Sequence, residues 1–285
     1  EGTLTLDGAS NIILDAVGHI STPTAGTNNV KLGVNAGNSI TSGGNYNTLI
    51  GDEAGTALTT GDNNVAIGFQ ALDLEDEHGG NVAIGRSALS TLNAGADGFN
   101  TAVGHLAGDL MSTGVQNTLI GAKAGDALST STSNVAIGYE ALSTEDTHSL
   151  NTAVGYQALK TLNAGADGYN VAVGYRAGTA MTTGLYNTIL GGDAGRLITS
   201  GARNVAIGLQ ALDANTIGSK SIAIGVNALG AQEPATAVDM HNIAIGESAG
   251  SAVTTGTNNT LIGGLAGVAI TTAASNVGVG YQALM

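Results

Sequence analysis

Apolar and polar positions alternate through one short phrase that the chain writes again and again. In "NVAIG" (64–68), Val65 and Ile67 fall on one side of an extended backbone, and Ala66 and Gly68 fall on the other. So short an alternation, ended by Gly, predicts a β-strand and not a helix. Fifteen copies of this phrase start at Asn29, Asn47, Asn64, Asn81, Asn100, Asn117, Asn134, Asn151, Asn170, Asn187, Asn204, Ser221, Asn242, Asn259 and Asn276. The first position is Asn in all but one copy, the fifth is always Gly, the eighth is always Ala, and the commonest spacing is 17 residues. Segments such as "TTGDNN" (59–64), "TTGLYN" (182–187) and "TTGTNN" (254–259) read as turns, with Gly supplying positive φ and Asn tolerating it.

A second period lies on the first. The ninth position reads Gly, Gly, Leu, Leu: Gly37, Gly55, Leu72 and Leu89, then Gly108, Gly125, Leu142 and Leu159, and so on. This divides the chain into super-repeats at 29–99, 100–169, 170–241 and 242–285. The fourth set stops one copy short and the chain begins at Glu1, so a longer parent sequence is expected. Residues 1–28 lack the phrase and alternate through Leu4, Leu6, Ile12 and Leu14. They read as a β-rich capping or joining segment, which solenoids need at their ends.

One strand and one turn per 17 residues describe a coil of an all-β parallel β-solenoid, its coils stacked at roughly 4.8 Å into a rod on the order of 70 Å long. Stacked Asn64, Asn81, Asn100, Asn117, Asn134 and Asn151 are expected to form an amide ladder from coil to coil. Both faces of the strand are apolar, which is normal for a strand covered on both sides. The second cover is either another wall of the same coil or another chain. Where the third position grows (Leu49, Leu119, Ile189, Leu261), the second shrinks to Thr, as expected if both faces are packed. These features favour a homotrimer around a shared axis, with the Ala/Leu face as its candidate interface.

Composition narrows the function. The chain has 285 residues with 45 Gly, no Trp and no Cys, so it has no disulfide framework and no thiolate metal site. A net charge of −14 argues against nucleic acid and against an electrostatic membrane anchor. No apolar run is long enough for a membrane span.

The array of "NVAIG" phrases followed by "AL" or "AG" resembles the head repeats of YadA-like trimeric autotransporter adhesins. It also resembles the "NTAVGYQAL" arrays of bacteriophage tail fibres; that phrase stands here at 151–159. The resemblance spans 29–285. It implies a trimeric, left-handed parallel β-roll used for attachment at a cell surface or on a virion, with a host or bacterial surface receptor or glycan as partner. The coils of this chain are longer than typical head coils. The N-terminal segment, similar to the start of phage fibre modules, favours a tail-fibre shaft or head over a bacterial adhesin head.

Candidate chemistry is sparse. Asp73, Glu75, Asp76, Glu77 and His78 cluster in "LDLEDEHGG" (72–80), and Glu145, Asp146 and His148 recur one set later. Their spacing matches neither an EF-hand nor a His-based zinc motif, so they read as solvated loops without a metal. A polysaccharide depolymerase would need a carboxylate pair in a cleft, usually walled by aromatic platforms, and short linkers offer little material for one. No enzyme and no cofactor are therefore expected. The variable sixth position places Tyr139, Tyr156 and Tyr175 on consecutive coils. They form either a stacking ladder that stabilises the coils or a contact stripe for a receptor or glycan.

Overall fold

The computed structural model describes residues 26, 28–144 and 147–285, so the joining segment at 1–28 lies almost wholly outside the described residues. The rest is a parallel β-solenoid. Fifteen three-residue strands, from β1 (Val30–Leu32) to β15 (Val277–Val279), form one sheet in strict chain order. Registry is position on position: Val65, Ala66 and Ile67 of β3 (Val65–Ile67) pair with Val82, Ala83 and Ile84 of β4 (Val82–Ile84). The walls without strands are laddered too, as where Gly55 N–H donates to Ala71 O at 2.9 Å and Thr59 N–H to Asp76 O at 2.7 Å. Each coil is numbered here by its copy of the phrase.

The Ala/Leu face is the inside of the coil and not a surface between chains. Ala66, Ala83, Leu49 and Leu119 of the third position are fully buried within the single chain, as are Ala71 and Ala88 of the eighth and Leu72 and Leu89 of the ninth. The twelfth position adds Leu58, Leu92 and Met111 to the same core. The second cover of the strand is therefore its own coil. The opposite face, of Val/Thr and Ile/Val/Leu, remains half-exposed along the sheet; Val171, Val173 and Ile120 keep 37–39 % of their surface.

The 70-residue super-period is a volume exchange inside this core. It runs between the third and ninth positions, and not between the third and second as the sequence implied. A Cβ on Gly37 would lie 2.5 Å from Leu49 Cδ1, and one on Gly55 would lie 2.9 Å from Leu49 Cδ2. Leu at position three of coil 2 thus needs Gly at position nine of coils 1 and 2. Coils 3 and 4 invert the choice, with Ala66 and Ala83 opposite Leu72 and Leu89. Close packing forces this alternation, because a narrow coil has no slack for a methyl group. Leu72 and Leu89 hold φ of 54° and 51°, a left-handed conformation. Its cost of about 1–2 kcal/mol is offset by burying a Leu side chain, worth about 1.5–3 kcal/mol.

Two glycine positions have distinct causes. The fifth position needs both its dihedral and its lack of a side chain: Gly68 has φ of 135°, and a Cβ there would lie 2.6 Å from Gly85 O. The turn glycines differ from expectation. Gly61 does not take positive φ; a Cβ on it would meet His78 O at 2.4 Å, so close approach of the next coil selects Gly. The left-handed residue of the turn is the one before the Asn column, as in Asn63 (φ 59°) and Tyr186 (φ 60°).

Candidate functional site

The Asn column is buried and bonds in a way that a simple amide stack does not describe. The backbone N–H of Asn64 donates to Asn47 Oδ1 at 2.8 Å, that of Asn117 to Asn100 Oδ1 at 2.9 Å, and that of Asn151 to Asn134 Oδ1 at 2.9 Å. The Nδ2 of each ladder residue instead ties down the turn of its own coil or of the one before. Asn47 donates to Gly61 O at 2.8 Å and Asn117 to Ser131 O at 2.9 Å. Amide-to-amide bonds are added at some steps, such as Asn100 Nδ2 to Asn81 Oδ1 at 3.2 Å. Asn is selected because one side chain must accept on one side and donate on the other.

Tyr139, Tyr156 and Tyr175 are brought together. Their rings stack with centroids 5.6 and 5.4 Å apart, and the Arg176 guanidinium lies 4.9 Å from the Tyr175 centroid. Stacking occupies the ring faces and leaves edges and hydroxyls outward, so the row offers polar groups and not flat sugar platforms. Beside it runs a row of ion pairs. Lys160 Nζ meets Glu140 Oε2 at 2.5 Å, and Arg176 and Arg196 pair with Asp193 and Asp213. Hydrogen bonds from Lys160 and then Gln157 hold the Glu140 carboxyl down at about 2.

A second aromatic row escaped the sequence reading. Tyr169 and Tyr186 precede the Asn column in coils 9 and 10, and their rings stack at 5.5 Å. Arg203, in the same place of coil 11, sets its guanidinium 5.4 Å from the Tyr186 centroid. Lys220 and His241 continue the row. The signal was present in the residue before each Asn. Lining up the copies from the Asn onward left that column at the ragged end of the preceding linker.

The acidic loop of coil 3 does bring Glu75, Asp76 and His78 together, with one ligand atom of each within 4.8 Å of the others. Both oxygens of the fully buried Glu75 are already engaged. Oε1 accepts His78 N–H at 3.2 Å and Oε2 accepts Ala94 N–H at 3.0 Å. Burial pushes the Glu75 carboxyl up. His78 Nδ1 lies 3.5 Å from Glu75 Oε1 without a hydrogen bond. In coil 11 the same twelfth position holds Asn215, whose Oδ1 accepts Gly218 N–H at 3.1 Å. A neutral amide thus makes the same three-residue closure, so Glu75 is a buried loop cap and not the solvated side chain expected from the sequence. Glu145 and Asp146 lie outside the described residues, and His148 contacts Thr147 Oγ1.

A surface cavity of about 380 Å³ opens next to this loop, bounded by Asp62, Glu77, Asp97, Gly79, Gly80 and Phe99. Coil 3 has Gly79 and Gly80 here, where coil 7 has Ser149 and Leu150. Asp97 Oδ1 accepts Gly79 N–H at 3.0 Å, and Asp62 Oδ1 accepts Asn45 N–H at 2.5 Å. No helix among the described residues is long and apolar enough to cross a membrane. No protein-family profile, no curated protein and no solved structure matches this chain.

Proposed function

We propose that this chain is a rigid attachment rod: an extracellular, homotrimeric shaft or head segment of a bacteriophage tail fibre. One observation carries the reading. The sheet face runs along all fifteen strands with only Val, Thr, Ile and Leu in its two outward columns, and it stays half-exposed in a single chain. An uncharged, β-branched stripe of this length is larger than soluble monomers expose without a partner. Copies that meet along it in parallel remove it from water, and self-association along the rod axis stiffens the particle. The choice of three copies, and of a fibre, follows the resemblance of the repeats to fibre and adhesin arrays.

The proposed interface is thus the Val/Ile face, with the Ala/Leu face kept as each chain's own core. The stack supplies length and stiffness, and no reaction is assigned to it. Light scattering tests the reading. A mass of three times 27.9 kDa, reduced by Val171→Lys and Val173→Lys together, supports it. A mass of one chain overturns it.

A further inference from the structure

We infer that the row Tyr169–Tyr186–Arg203, along one edge of coils 9–11, binds a linear anionic polysaccharide. The inference rests on the attachment reading and names the class of surface ligand for it. Charge comes first. Of the four Lys/Arg in residues 169–220, Lys220 is already paired, its Nζ 2.6 Å from Asp239 Oδ2. Arg176 and Arg196 are neutralised by Asp193 and Asp213 on the other edge of the sheet. Arg203 is exposed and has no carboxylate within ion-pairing distance among the described residues. Its guanidinium is held over Tyr186, which restricts its motion and leaves its N–H fork free for an outside acceptor.

Geometry comes second. Tyr169 and Tyr186 are 51 % and 47 % exposed, yet Tyr186 is sandwiched between Tyr169 and Arg203, and Tyr169 has one face stacked on Tyr186. What they present is a line of phenol hydroxyls. A row of hydroxyl donors ending in a free guanidinium suits carboxylate or sulfate groups spaced along a chain. It does not suit neutral sugars, which need open aromatic faces. Single-stranded nucleic acid needs the same open faces for its bases, which favours the polysaccharide. Backbone bonds fix the spacing, with Tyr186 N–H on Gly168 O at 2.9 Å and Arg203 N–H on Leu185 O at 3.0 Å. The row is straight and on the order of 10 Å long, so the ligand is extended.

The test uses the purified chain with alginate, a polyuronate, as probe. Neutral dextran and oligo(dT) serve as controls, at low and high salt. Alginate is expected to bind, more weakly at high salt, and dextran is not. Arg203→Ala is expected to weaken alginate binding about tenfold, and Arg86→Ala, on coil 4, to leave it unchanged. Tyr186→Phe keeps the stack and removes one hydroxyl, and it should weaken binding by a smaller factor. Equal alginate affinity for Arg203→Ala overturns the inference, as does binding of oligo(dT) as tight as that of alginate. Light scattering separates the two proposals. A monomeric wild-type chain that still binds alginate through Arg203 sinks the trimer and keeps this site. A changed mass in Arg203→Ala places the row in the subunit contact and sinks the site.

Discussion

The backbone N–H of Asn151 donates to the side chain of Asn134, at 2.9 Å, through the buried interior of the rod. The Asn134 amide nitrogen meanwhile donates to His148 O at 3.2 Å, so one side chain joins the strand of coil 8 to the turn of coil 7. Asn134→Ala deprives a buried N–H of its acceptor and a carbonyl of one donor. A loss of about 2–4 kcal/mol is expected. Because a solenoid opens locally, amide exchange at Asn151 should speed up before distant coils do. Unchanged exchange there would mean that backbone ladders alone hold the coils together.

The fifth-position glycine is the strictest requirement in the phrase. Gly68→Ala would set a Cβ 2.6 Å from Gly85 O at a φ of 135°, where no flexible side chain can yield. A cost of about 3 kcal/mol or more is expected from the dihedral and the clash together. Gly95→Ala is the control, since a Cβ there meets nothing within 4 Å. It should change stability by less than about 0.5 kcal/mol. Equal urea midpoints for the two variants would contradict the account of the glycine column.

The period, the strands and their parallel stacking were legible because each coil repeats the same constraint. Which strand face is inside was not legible. Both faces are apolar in sequence, and the Ala/Leu face read as a candidate interface between chains, but the narrow coil admits Ala66 and turns the β-branched Val65 and Ile67 outward. The left-handed Leu72 and Leu89 were equally hidden, since propensity alone reserves that conformation for Gly55 and Gly125. Among the candidate sites, the Tyr139 row could be read from consecutive copies. The Tyr169–Arg203 row was equally written there, one residue before Asn170, Asn187 and Asn204, but its column lies ahead of the Asn that sets the register.

The Glu140–Lys160 contact predicts a narrow acid response. Glu140 titrates at about 2 in the folded chain, below the ~4.3 of an unfolded Glu. A depressed carboxyl stabilises the fold above the unfolded value, and that contribution is lost as pH falls from there toward 2. The pair is partly exposed, and solvent screening limits its worth to about 0.2–1 kcal/mol. Lys160→Met should return the Glu140 titration toward the ordinary range and flatten the stability profile between those two values. Titration of Glu140 by carboxyl NMR in both proteins checks this; identical midpoints would refute it.

Coil 12 breaks the Asn rule and repairs it with a second departure. Ser221 stands in the Asn column and cannot reach the next coil as Asn does. Gln232 stands at the twelfth position, where coils 4 and 8 have Leu92 and Leu162. The Gln232 carbonyl accepts from Ser221 Oγ at 3.1 Å and from Asn242 Nδ2 at 2.9 Å, while its amide donates to Asn215 Oδ1 at 3.3 Å. Gln232→Leu alone removes an acceptor from a buried hydroxyl, and Ser221→Asn alone crowds the space that Gln232 fills. Both singles should be destabilising. The double variant Ser221→Asn/Gln232→Leu rebuilds the pairing that coils 4 and 8 already use, and should recover much of the loss. A coupling of about 1–3 kcal/mol is expected from the double-mutant cycle. Costs that simply add would show that the two departures are independent and that the network is incidental to the coil.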